Sequence, residues 1–97
     1  MRIIWSPLAL DRVEEIAREI AREDPVASQK WIHEVFRLAA TLSSFPRRGR
    51  IVPEVGRPEI REFLYRGYRI IHKVEEKRIS ILPVRHGRRL LDPEGIA

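Results

Sequence analysis

The chain has 97 residues, 43% of them apolar and 34% charged, which describes one globular domain over residues 1–97 with a modest core and argues against a disordered chain. With no cysteine it offers neither a disulfide framework nor a thiolate metal site, and no apolar run approaches the roughly 20 residues that a bilayer-spanning helix needs, so a soluble cytoplasmic protein without a membrane partner is expected. The net charge of +5 is lopsided: residues 1–45 hold six Lys/Arg and seven Asp/Glu, residues 46–97 thirteen and seven, which directs the second half either toward an anionic partner or toward a solvated basic surface.

Arg2 to Trp5 is short, apolar and β-branched and reads as a strand. Ser6-Pro7 supplies an N-cap followed by proline at the first helical position, and Leu10, Val13, Ile16, Ala17 and Ile20 recur at helical spacing, giving an amphipathic helix of about 17 residues. Asp24-Pro25 repeats the cap-plus-proline signal. The first helix therefore stops near Glu23 and a second begins almost at once, with Ser28, Trp31, Ile32, Val35, Leu38, Ala39 and Leu42 as its apolar stripe. So short a link makes the pair an antiparallel helical hairpin.

Residues 46–59 carry three prolines, two glycines and four arginines and read as a long basic loop. Ile60 to Tyr65 is a strand, Arg66-Gly67 a two-residue hairpin turn, Tyr68 to Val74 the next strand, and Arg78 to His86 the last, after which residues 90–97 form a tail. Pro83 cannot donate to a ladder, so the last strand is either an edge or bulged there.

The economical arrangement is α+β: an N-terminal strand, the helical hairpin, then a three-strand antiparallel meander in one sheet with both helices on one face. The other face is expected to be open. Period-two alternation puts Arg61, Phe63 and Tyr65 on one side of their strand, Arg69, Ile71 and Lys73 on one side of the next, and Ile79, Ile81, Pro83 and Arg85 together on the last. Arginines from neighbouring strands are expected to converge on a concave basic floor roofed by Arg47, Arg48 and Arg50 of the loop.

The order Ile-Ile-Trp-Ser-Pro, helical hairpin, Phe-Pro, Ile-Arg-Glu-Phe, Gly-Tyr-Arg-Ile-Ile and His-Gly-Arg-Arg resembles the RelE/ParE superfamily of bacterial type II toxins over nearly the whole chain. The resemblance implies a small toxin neutralised by a cognate antitoxin, whose acidic or amphipathic C-terminal segment wraps the basic face and the helices. Two targets follow from the two branches. RelE-like members cut messenger RNA on the ribosome, chemistry that needs a base, an acid and cations on the phosphorane. Arg69 matches the arginine of the Gly-Tyr-Arg motif, Arg89 lies where a second phosphate-binding arginine belongs, and Glu54 and His86 are the candidate base and acid.

The lysines that RelE-like sequences place on the second strand are absent from Glu59-Ile60-Arg61-Glu62-Phe63, and the tail has no tyrosine. The Ile-Arg-Glu strand and the His-Gly-Arg-Arg ending look more like the ParE branch, whose implied action is non-enzymatic binding to DNA gyrase. Partner-binding candidates are then Arg47, Arg48, Arg50, Arg61, Arg69, Lys73, Arg85, Arg88 and Arg89. A third reading is a small nucleic-acid-binding module with Tyr65 and Tyr68 as stacking platforms. Each candidate also has a plainer role: Arg69 as the cross-strand partner of Glu62 or Glu75, His72 as a half-buried hydrogen-bonded side chain, His86-Gly87 as a strand end, Trp5 and Trp31 as core. His33, His72 and His86 lack metal-ligand spacing, so neither metal nor cofactor is expected.

Overall fold

The computed structural model describes residues 1–87, so Arg88, Arg89 and the 90–97 tail lie outside the described residues. The elements in chain order are β1 (Arg2–Trp5), α1 (Pro7–Glu23), α2 (Pro25–Thr41), β2 (Arg50–Ile51), β3 (Ile60–Tyr65), β4 (Tyr68–Val74), β5 (Arg78–Ile81) and β6 (Arg85–His86). Both helices start as their sequence signals dictate. Ser6 Oγ accepts from Ala9 N–H, and Asp24 serves twice, its own N–H closing α1 on Ile20 O and its carboxylate accepting from Ala27 N–H to open α2. The buried Ser28 hydroxyl donates to Ala17 O at 2.6 Å, fastening one helix to the other.

The strands form one mixed sheet in the order β1-β5-β4-β3-β2, with β1 parallel to β5, the remaining ladders antiparallel, and β6 paired to β4. β1 and β2 lie at opposite edges of the sheet, so the helical hairpin that joins them carries the chain across one face, where both helices pack. Val13, Ile16, Ala17, Trp31 and Val35 pack there on Ile70 and Val84, while Ala39 and Leu42 pack on Ile79 and Ile81. No helix among the described residues is long and apolar enough to cross a membrane.

Two elements depart from the sequence reading. The last strand is broken: between the pairs His72↔Ile81 and Arg69↔Arg85, two residues of β4 face three, Leu82, Pro83 and Val84, so one extra residue bulges at the proline. The bulge reverses the alternation. Ile79, Ile81 and then Val84 face the helices, and Arg85 moves to the other side, beside Arg69 rather than in line with Ile81. The basic loop, in turn, contains the short β2 and runs as an ordered strap around the β3 edge. Gly49, at φ +87°, makes that passage possible, because a Cβ there would stand 2.2 Å from Glu62 O.

The second face of the sheet is consequently not open. Val52, fully buried, and Val55 reach over from the strap and cover Ile60, Ile71 and Leu82 in a small aliphatic cluster of their own. At the other end of the β3–β4 ribbon, Arg66 and Gly67 both have positive φ, the conformation that a two-residue hairpin matched to strand twist requires.

Candidate functional site

The strap face is built around Arg69, which β4 projects away from the helices. Its Nε donates to Glu62 Oε1 at 2.5 Å, and its two terminal nitrogens grip both oxygens of Glu54, at 2.6 and 2.9 Å. Glu62 in turn accepts from Arg50 Nε at 2.8 Å. The side chain of Arg69 is 4% exposed, that of Glu62 0% and that of Glu54 17%, so this is a buried three-membered ionic core, extended to the surface by the largely exposed Arg50, rather than a surface pair. The Glu54 carboxylate, followed by Glu62, holds the Arg69 guanidinium well above its ordinary range against the opposing effect of burial, so it is permanently charged.

Arg61 lies across the sheet from this network. It alternates onto the helix face with Phe63 and donates to backbone oxygens, Pro58 O at 3.0 Å and Gly49 O at 3.3 Å, bracing the strap's edge. The expected convergence of Arg61 and Arg69 on one uncovered floor is therefore corrected: the β3–β4 register, which pairs Arg61 with His72, places them on opposite faces, and each is already engaged. Arg48 also belongs to the helix face, where its guanidinium sits over the Phe63 ring at 5.3 Å and donates to Thr41 Oγ1 at 2.8 Å. Arg47 is exposed beside a cleft lined by Phe45 and Pro46. Lys73 faces Ile60 and Arg85 faces Arg69, both on the strap side and both half-buried with polar partners of their own.

The candidate acid and base are not brought together. Glu54 lies on the strap face, bound to Arg69, whereas His86 pairs with Tyr68 on β4 and stacks edge-on against its ring at 5.8 Å on the helix side. Tyr68 is also in edge contact with Trp31 at 5.4 Å, and Tyr65 packs against the helix-face core, so the two tyrosines are partly buried structural rings. Among the described residues no group of three or more His, Cys, Asp or Glu side chains is placed to hold a metal ion.

His72 is buried on the helix face, with Nε2 2.8 Å from Pro46 O. A carbonyl only accepts, so Nε2 carries the proton, and Nδ1 is left buried without a partner. Burial first, then the neighbouring Arg61 charge, lowers the imidazole's pKa, with the Pro46 bond opposing. The ring therefore pins the start of the strap as a neutral donor, the hydrogen-bonded role read for it from the sequence, with Pro46 as the partner and with deeper burial than the half-buried position expected.

A second surface lies on the helical hairpin. Two adjoining clefts of about 450 and 620 Å³ share Ile32 and Phe36, and the exposed Leu10 lines the first of them. Trp5 supports Phe36 from below at 4.7 Å between ring centroids. Leu10, which helical spacing places on the apolar face with Val13, is exposed, and Ala9 is the buried residue of that turn.

With this geometry established, three comparisons bear on it. Among curated proteins, none matches the sequence. A solved structure of the chromosomal ParDE TA system from P. aeruginosa superposes with a TM-score of 0.74 at 20% identity, over 89% of this chain and 95% of that one, a likeness of fold. The family described as ParE toxin of type II toxin-antitoxin system, parDE, matches residues 3–91, a span that takes in both helices and, apart from Arg2 of β1, every strand among the described residues, and the chain belongs to that family of toxins.

Proposed function

We propose that this ParE-family toxin inhibits growth by binding DNA gyrase, without catalysis of its own, and is neutralised by a cognate antitoxin. The observation that carries the non-enzymatic reading is the Arg69–Glu54 pair. The arginine and the carboxylate that RNA cleavage would need as phosphate binder and base neutralise each other at 2.6 and 2.9 Å, and His86 lies on the far side of the sheet. The excess of positive charge in the second half, with Arg47, Arg50 and Arg85 among its contributors, supports association with an acidic protein surface. The apolar groove along α1 and α2, with Leu10, Ile32 and Phe36 accessible, suits the apolar face of an amphipathic antitoxin segment.

Inducible expression, combined with a gyrase supercoiling assay and primer extension on cellular transcripts, tests this reading. Loss of supercoiling activity with intact transcripts is expected. Codon-specific cuts with normal supercoiling would overturn it in favour of a ribosome-dependent endoribonuclease, and inertness of the folded protein in both assays in favour of a non-toxin module.

A further inference from the structure

The strap is fixed at one end and lightly held at the other. Where it leaves α2 it is bound to the sheet by His72 Nε2–H on Pro46 O, by Arg48 over Phe63 and by the close approach of Gly49 to Glu62 O. Beyond Ile51 the ladder ends. Val52 N–H still reaches Ile60 O at 3.0 Å, but the next turn is closed on itself, Val55 N–H and Gly56 N–H both donating to Val52 O. That turn is seated on the sheet by two valines over Ile60, Ile71 and Leu82 and by the carboxylate of Glu54 on Arg69, and its far end is tied to the start of β3 by Ile60 N–H on Arg57 O and Arg57 Nε–H on Glu59.

Arg69 thus holds two carboxylates of different standing. Glu62, wholly buried in the middle of β3, belongs to the sheet; Glu54, 17% exposed and on a turn, is the exchangeable one. If Glu54 leaves, a permanently charged guanidinium is short of one carboxylate and is flanked by uncovered aliphatic side chains. That surface fits an aliphatic residue two positions before an acidic one, which is the pattern Val52-Pro53-Glu54 already seated there.

We propose that Ile51–Arg57 is a self-docked peptide that covers a binding site for an acidic, aliphatic segment of a partner protein, with Arg69 as carboxylate receptor and Ile60, Ile71 and Leu82 as apolar floor. The partner segment takes the place of the strap's outer turn, while Pro46–Arg50 stays on the sheet. The site is a property of the isolated chain and is independent of which cellular machine the toxin attacks.

Native-state hydrogen exchange on the intact wild-type chain at low denaturant is the first test. The Val52, Val55 and Gly56 amides are expected to exchange through an opening that depends on denaturant less steeply than that of the Ile70 and Ile71 amides. Equal dependence for the two sets would mean that the strap opens only with the whole domain, and overturns the proposal. In Glu54→Gln the same three amides should exchange at least tenfold faster; unchanged strap exchange also overturns it. Finally, a synthetic peptide spanning residues 50–57, added to the Glu54→Gln chain, should shift the NMR resonances of Ile60, Ile71 and the Arg69 guanidinium. The same peptide with Gln for Glu54 should bind at least tenfold more weakly. Absence of binding by the first peptide, or equal binding by both, defeats the idea of a carboxylate receptor.

Discussion

The helix face and the strap face of the sheet are lined by alternate residues of the same two strands, yet they are closed by different physics. On the helix face Ile70 and Val84 meet an apolar wall of Val13, Ile16, Trp31 and Val35, and burial alone holds the layers together. On the strap face the cover is one extended segment with two valines, and the seal is an ionic network in which Arg69 is shared between a fixed and a movable glutamate. Nondirectional burial tolerates repacking. A directional network of buried charges does not, because removing one member leaves its partner desolvated and unpaired.

That contrast yields testable consequences. The largest belongs to Arg69→Met, which leaves the fully buried Glu62 with the largely exposed Arg50 as its remaining ion-pair partner and should cost about 3–5 kcal/mol in denaturant unfolding. Combining it with Glu62→Leu should recover much of the loss, since a buried pair replaced by apolar groups is close to neutral. If the double variant is no better than the single one, the network is not a closed electrostatic unit. Gly49→Ala should follow at about 1–3 kcal/mol, because the position has positive φ and a Cβ would collide with Glu62 O. Equilibrium unfolding of this variant beside a strap-face reference such as Ile71→Ala reads the effect.

A smaller and pH-dependent effect is expected at His72. Its pKa is lowered in the folded chain, so the unfolded chain takes up the proton first; stability is full above the ordinary histidine range near 6.5 and declines as pH falls below it. Denaturant midpoints between pH 7.5 and about 5 should show that slope, and His72→Gln should flatten it. The smallest effect on stability belongs to Leu10→Asp on the exposed rim of the helical groove, within about 0.5 kcal/mol. The same change should weaken capture by the antitoxin at least tenfold in a binding titration, and an unchanged affinity would remove the groove from the antitoxin's footprint.

Local signals made most of the scaffold legible before any coordinates. Ser6-Pro7 and Asp24-Pro25 mark both helix starts, the 3.6-residue stripe names Val13, Ile16, Trp31 and Val35 as core, and Arg66-Gly67 marks the hairpin. The ParE-like likeness was equally visible in the Gly-Tyr-Arg-Ile-Ile and His-Gly-Arg-Arg segments. Less visible was the site. Alternation correctly separates Arg69 from its strand neighbours, but it cannot say that Arg61 on the adjacent strand faces the other way, because that depends on register. The bulge at Pro83 was foreseen as one of two possibilities; its consequence, the transfer of Arg85 to the strap face, required knowing that it was a bulge and not an edge.

Chain chemistry of short range, namely caps, prolines, turn glycines and periodic apolar residues, dictated where the elements begin and which side of each is buried, since those preferences act within a few residues. Strand register and the path of the strap chose which charges meet. Glu54 reaches Arg69 only because Gly49 lets the strap pass the β3 edge, and Pro46 meets His72 because α2 ends over β5 and the chain leaving it passes the adjacent β4. Whether an arginine is an open anion site or the centre of a closed clasp depends on which distant carboxylate the fold delivers to it, and no local pattern carries that information.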